Sequence, residues 1–78
     1  MKFEYRKFGD FYYVSELHSY NSVTKLYKSE HIGTARRHGK EWIGKTIKGD
    51  TVRAKTRNEA SIAMVEQLEK GKQNDNNF

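Results

Sequence analysis

The tetrad Thr56-Arg57-Asn58-Glu59 divides this chain into two unlike parts. It has the T-x-x-E spacing of a capping box. The threonine hydroxyl accepts from the amide three residues on, and the glutamate carboxylate reaches back to the threonine amide. Directly after it, Ala60, Ala63, Met64 and Leu68 recur at i, i+3, i+4 and i+8, the spacing of one helical face. The pattern predicts a helix from about Arg57 to Glu69, with Gly71 where a helix usually ends. Ile62 and Val65 lie off that stripe. A thin sheet would leave them uncovered, so they are expected to form a partner or self-association surface, the basis of a weak homodimer. "KQNDNNF" lacks periodicity. The expected organisation is therefore a single domain over residues 1–70 and a disordered tail over 71–78.

Before Thr56 the periodicity is that of strands. Gly9-Asp10 separates "FEYRKF" from "FYYVSEL", both aromatic-rich, and predicts a hairpin from Lys2 to Leu17. Phe11, Tyr13 and Leu17 share one side of its second strand, Tyr12 and Val14 the other, and both sides are partly apolar. "HSYNSVT", residues 18–24, reads as a loop by composition. "KLYKSE", residues 25–30, suits a short strand, a helical turn or a continuing loop. "HIGTARR", "EWIGKTI" and "TVRAK" then alternate, separated by turns at His38-Gly39-Lys40 and Lys48-Gly49-Asp50. The expected fold class is α+β: a small antiparallel β-sheet, made of an N-terminal hairpin plus a three-strand meander, packed on one C-terminal α-helix. If Val52, Ala54, Ile43 and Ile47 pack under the helix, Arg53, Lys55 and the Trp42 side of the meander point away from it.

Composition excludes several classes of function. With 78 residues there is room for one domain with a thin core. No cysteine is present, so neither a disulfide nor a thiolate metal site exists. No apolar run approaches the ~18 residues of a membrane span. "MKFEYRKFGD" has no signal-peptide core, so a cytoplasmic location is expected. His18, His31 and His38 lack metal-ligand spacing, and no phosphate loop precedes the helix. No metal, cofactor or enzymatic activity is therefore expected.

Charge gives the functional lead. Residues 31–57 carry eight of the fifteen Lys and Arg but two of the ten Asp and Glu, so they hold more positive charge than the chain's net +5. Such focusing suits a polyanion better than it suits solubility. Arg36, Arg37, Lys45, Arg53 and Lys55 are the expected sheet-borne contacts. Lys40 and Lys48 sit on the turns, Arg57 at the helix start, and Trp42 is either a core residue or a ligand-facing one that stacks on a base.

The run "IGTARRHGKEWIGKTIKG", a short strand and then "TRNEA" resemble two families. One is the DNA-binding domain of plant ethylene-response factors, the other the arm-binding domains of phage tyrosine integrases. The features that carry the resemblance are Gly33, the Arg36-Arg37 pair, Gly39 before Trp42, and Thr56 three residues before Glu59-Ala60. It spans about residues 31–70 and leaves the aromatic hairpin at residues 2–17 as an addition. The resemblance implies a three-stranded sheet backed by a helix, whose Arg, Lys and Trp side chains enter the DNA major groove.

The expected function is thus a small basic nucleic-acid-binding accessory protein, for DNA or RNA, of phage or mobile-element type. Two other classes stand beside it. A phage-type inhibitor of a host defence enzyme or toxin, acting with any RNA that enzyme holds, would use the aromatic hairpin, Ile62 and Val65 on its host protein. A small ribonuclease would use a histidine with Lys or Arg as its acid–base pair.

Overall fold

A computed structural model describes residues 1–75, with side chains described through residue 71. Its elements are β1 (Lys2–Phe8), β2 (Phe11–Asn21), β3 (Leu26–His38), β4 (Glu41–Thr46), β5 (Thr51–Ala54) and α1 (Arg57–Asp75). The strands form one antiparallel sheet in sequential order, β1-β2-β3-β4-β5, with α1 against one face. The fold is the expected α+β class. The molecule is 18 Å in its thinnest dimension, as two layers require.

Turn chemistry sets the register. Gly9, at φ 64°, opens a two-residue turn that leaves Phe8 opposite Phe11. The β3–β4 turn has the same length and leaves His38 opposite Glu41 and Arg37 opposite Trp42. The β4–β5 loop closes through Gly49 N to Thr46 O at 2.9 Å, Asp50 N to Thr46 Oγ1 at 3.1 Å and Thr46 N to Asp50 O at 2.8 Å. Thr46 is thereby satisfied although buried.

The segment expected as a loop is instead a β-ribbon. β2 continues to Asn21 and β3 starts at Leu26, with Tyr20 opposite Tyr27. Asn21 Oδ1 accepts from the amides of Val23 and Thr24 at 2.9 and 3.2 Å, and Lys25 turns the chain at φ 59°. An Asx turn of this kind replaces the glycine that a sequence reading looks for. The ribbon forms an arm whose residues from His18 to His31 are all exposed.

The helix start matches expectation. Glu59 N donates to Thr56 Oγ1 at 3.1 Å and Ala60 N to Thr56 O at 3.0 Å. Its end does not: α1 continues through Gly71 to Asp75, where a disordered tail was expected. Glycine weakens a helix interior by only ~1 kcal/mol, and no proline follows to stop the turn. Residues 76–78 of the expected tail lie outside the described residues.

The buried helical face is Ala60, Ser61, Met64 and Val65, one position round from the expected stripe. Val65, 5% exposed, packs with Val14, Ile32, Ala35 and Met64. It therefore belongs to the core rather than to the expected self-association surface, and Ile62 is half-buried beside it. Val65 is covered because Val14 of β2 and Ile32 of β3 pack against that side of the helix. Burial of Met64 and Val65 stabilises the fold by about 1.5–3 kcal/mol each.

The sheet face under the helix is the expected one on β5, where Val52 packs against the core, and the reverse of it on β4. Trp42, Gly44 and Thr46 face α1, because Gly44 pairs with Val52 and Trp42 with Ala54. Ile43 lies on the opposite face, level with Arg53, and Ile47 is exposed in the loop. The reason is steric. A Cβ on Gly44 would lie 3.0 Å from Met64 Cγ and Sδ, so the bare backbone there is what lets the helix approach. Small residues, not the most apolar ones, mark the contact line of this helix.

Candidate nucleic-acid interface

Parity along the strands distributes the predicted cations over two faces. Arg36, Lys45 and Arg53 stand on the face away from the helix. Arg37 and Trp42 stand on the helix side, paired with each other across β3 and β4. The expected single cluster is therefore divided, and of its two expected placements Trp42 takes the core one, half-buried on the helix side. Arg37 Nε donates to Gly39 O at 3.2 Å and borders a hollow with Lys7, Tyr12 and Trp42. Lys40 sits on the β3–β4 turn and Lys48 on the β4–β5 loop, both exposed, and Lys55 follows β5.

Arg57 takes a different role from the one expected. Its guanidinium lies 3.9 Å from the Tyr5 ring centroid, 4.9 Å from Tyr12 and 6.0 Å from Trp42. Three aromatic faces on three strands thus hold a cation at the first helical position, where the helix dipole disfavours it. The Tyr5 hydroxyl sits 2.9 Å from Ser61 Oγ, and Ser61 Oγ donates to Arg57 O at 2.9 Å. With the serine proton so used, Tyr5 is the donor to Ser61. This network ties β1 to α1 and engages Arg57 within the fold.

The outer face is built from two cross-strand rows. One runs Phe8, Phe11, Arg36, Ile43, Arg53 and the other Arg6, Tyr13, Thr34, Lys45, Thr51, each residue directly opposite the next. The β1–β2 end is aromatic. Phe8, Phe11 and Tyr13 lie within 6.0 Å of one another by ring centroid, and His31 is 5.7 Å from Tyr13. Phe8 is 63% and Tyr13 40% exposed. The β3–β5 end is cationic. Between the ends lies a depression of about 360 Å³, lined by Phe11, Thr34, Arg36, Ile43, Lys45 and Thr51. The carboxylates on this face are Glu4, 3.4 Å from Arg6, and Glu41, 3.8 Å from Arg53. Both pairs are solvent-exposed, so their mutual attraction is weak and Arg53 stays available to another anion.

A bulge holds the two rows in register. Ile32 is the extra residue between the Val14–Gly33 and Ser15–His31 pairs, and its carbonyl accepts from Ile47 N at 3.0 Å. Gly33, at φ 156°, lies against β4 so closely that a Cβ would overlap the Lys45 carbonyl oxygen. Thr34 and Lys45, the next pair along, are set side by side by this contact.

The three histidines are dispersed. His31 joins the outer aromatics, His38 ends β3, and His18 lies 3.2 Å from Glu30 and 3.7 Å from Glu16 in a small hollow beside Val65 and Leu68. Among the described residues, no group of three His, Asp or Glu is arranged to hold a metal ion, and no helix is long and apolar enough to cross a membrane. Tyr13 was open to a stacking role from the sequence, with Tyr12 and Tyr20, but Phe8 and Phe11 were not singled out because both sides of β2 looked apolar. The cross-strand pairing of this aromatic end with Arg36 and Thr34 was the missing signal. Compared with protein-family models, curated proteins and solved structures, the chain finds no match.

Proposed function

We propose that the chain is a nucleic-acid-binding protein that takes DNA or RNA on the outer face of its sheet, as a phage- or mobile-element-type accessory factor. The observation that carries this reading is the uncovered face itself. Arg36, Lys45 and Arg53 stand on three neighbouring strands with no helix over them. Adjacent strands are about 4.8 Å apart, so the three charges form a short track that phosphates can follow. Each phosphate neutralised releases counterions, which supplies affinity without sequence preference. Lys40 and Lys48 flank the track on its turns. The resemblance to sheet-borne DNA-binding domains is consistent with the same face, except that Trp42 lies on the other side of the sheet.

The test is a salt titration of binding. Three contacts predict a slope of log affinity against log salt of about −2 on a single strand or −2.7 on a duplex. Binding that is absent at low salt, or independent of salt, sinks the reading.

The second reading, a protein-binding inhibitor, now draws support from the arm. Val23 is 89% and Leu26 66% exposed at its tip, beside the tilted aromatic pair Tyr20–Tyr27. Recovery of the protein from its cell with nuclease added separates the two. A stoichiometric protein that stays bound, and is lost from Val23→Ser/Leu26→Ser, favours this reading.

A further inference from the structure

The aromatic end of the outer face contributes nothing to phosphate binding, yet it is continuous with the cations that do. Phe11 is directly opposite Arg36, and Tyr13 directly opposite Thr34. In a duplex the faces of the bases are already stacked on each other, so exposed rings beside a phosphate track find no partner. In an unpaired strand every base has a free π-face, and stacking it on an aromatic side chain is favourable whatever the base.

We propose that this face binds single-stranded nucleic acid, its unpaired bases stacked on Phe8, Phe11 and Tyr13 while its phosphates follow Arg36, Lys45 and Arg53. The proposal rests on the nucleic-acid reading above and names its substrate class. The depression between the two ends has the composition a nucleobase needs. It is lined by the apolar side chains of Phe11 and Ile43 together with Thr34, Thr51, Arg36 and Lys45. A nucleobase, with apolar faces and a polar edge, meets a lining of the same mixed kind. Hydroxyls both donate and accept, so this lining accepts any base rather than selecting one. The Phe11 and Tyr13 rings are perpendicular, at an interplanar angle of 85°. A base lying on the face of one therefore meets the edge of the other, the favourable geometry for aromatic pairs.

The test uses labelled RNA and DNA oligonucleotides of about 12 nucleotides, within the range one such surface covers, each alone and annealed to its complement. The intact chain is compared with Phe8→Ala and Tyr13→Ala, both at exposed positions, and with Phe11→Leu, which keeps apolar volume and removes the ring. Unchanged circular dichroism establishes that each variant is folded. The expected result is tighter binding of single strands than of duplexes. Each ring removed should lower single-strand affinity about 5- to 100-fold, while the salt slope stays unchanged because no phosphate contact is lost. Preference between the RNA and DNA arms identifies which polymer the face takes. Duplex binding as tight as single-strand binding, or ring variants without effect, overturns the stacking proposal while the salt-dependent phosphate reading stands. Loss of binding to all four probes at low salt overturns both.

Discussion

Replacing Gly33 with alanine tests the geometry on which the outer face depends. A Cβ at Gly33 would overlap the Lys45 carbonyl oxygen and lie 2.9 Å from Thr46 Cα. Both are backbone atoms of a paired strand, so neither can move aside as a side-chain tip would. Relief requires β3 and β4 to separate at the Gly33–Thr46 pair. Overpacking of this kind costs about 1–3 kcal/mol, the positive φ adds ~1 kcal/mol, and a weakened ladder hydrogen bond about another 1 kcal/mol. The total, roughly 3–5 kcal/mol, is large against the ~0.05–0.15 kcal/mol per residue that stabilises a small domain. At about 4–8 °C per kcal/mol, the melting temperature should fall by more than ~10 °C. Gly9→Ala is the control. Gly9 also has positive φ, at 64°, but nothing lies within 4 Å of a Cβ there. It should cost only the ~1–2 kcal/mol of the left-handed backbone. Thermal denaturation of the two variants decides the matter. A Gly33→Ala protein no less stable than Gly9→Ala would refute the close β3–β4 approach and the alignment of Thr34 with Lys45.

Three further outcomes are expected. Thr56→Ala should lower stability by about 1 kcal/mol in urea denaturation, because Thr56 Oγ1 caps the Glu59 amide. Arg57→Ala should cost about 1 kcal/mol of stability through the lost aromatic contacts yet leave the salt slope of nucleic-acid binding unchanged; a flatter slope would return Arg57 to the phosphate track. The emission of Trp42, the only tryptophan, should respond weakly to bound oligonucleotide, since the ring faces the helix side. Strong quenching would place the ligand there instead.

What the sequence disclosed and what it hid follow from the range of the interactions. The Thr56 cap and the turns at Gly9, Gly39 and Gly49 are local, so the helix start and three of the hairpins were legible. Which side of β2 and β4 faces the helix was not. Alternation separates Ile43 from Gly44 but does not say which is inside. The usual preference for the more apolar residue failed because Met64 needs the space at Gly44. The arm was hidden for a related reason: its polar residues are held by pairing between β2 and β3, not by burial. The Arg57 network was out of reach because Tyr5, Tyr12 and Trp42 come from three strands. Among the candidate contacts, Arg36, Lys45 and Arg53 stand on one face. Arg37 and Trp42 went to the other face by the parity of a two-residue turn.

Arg36 and Arg37 are adjacent in the chain, have the same charge and project from opposite faces of β3. They therefore provide the most direct test of the central claim. Arg36→Ala and Arg37→Ala are compared by salt titration on one single-stranded oligonucleotide. Binding on the outer face predicts that Arg36→Ala weakens affinity and flattens the slope by about 0.7, one phosphate contact, while Arg37→Ala leaves both nearly unchanged. Equal losses from the two substitutions, or a larger loss from Arg37→Ala, would contradict it.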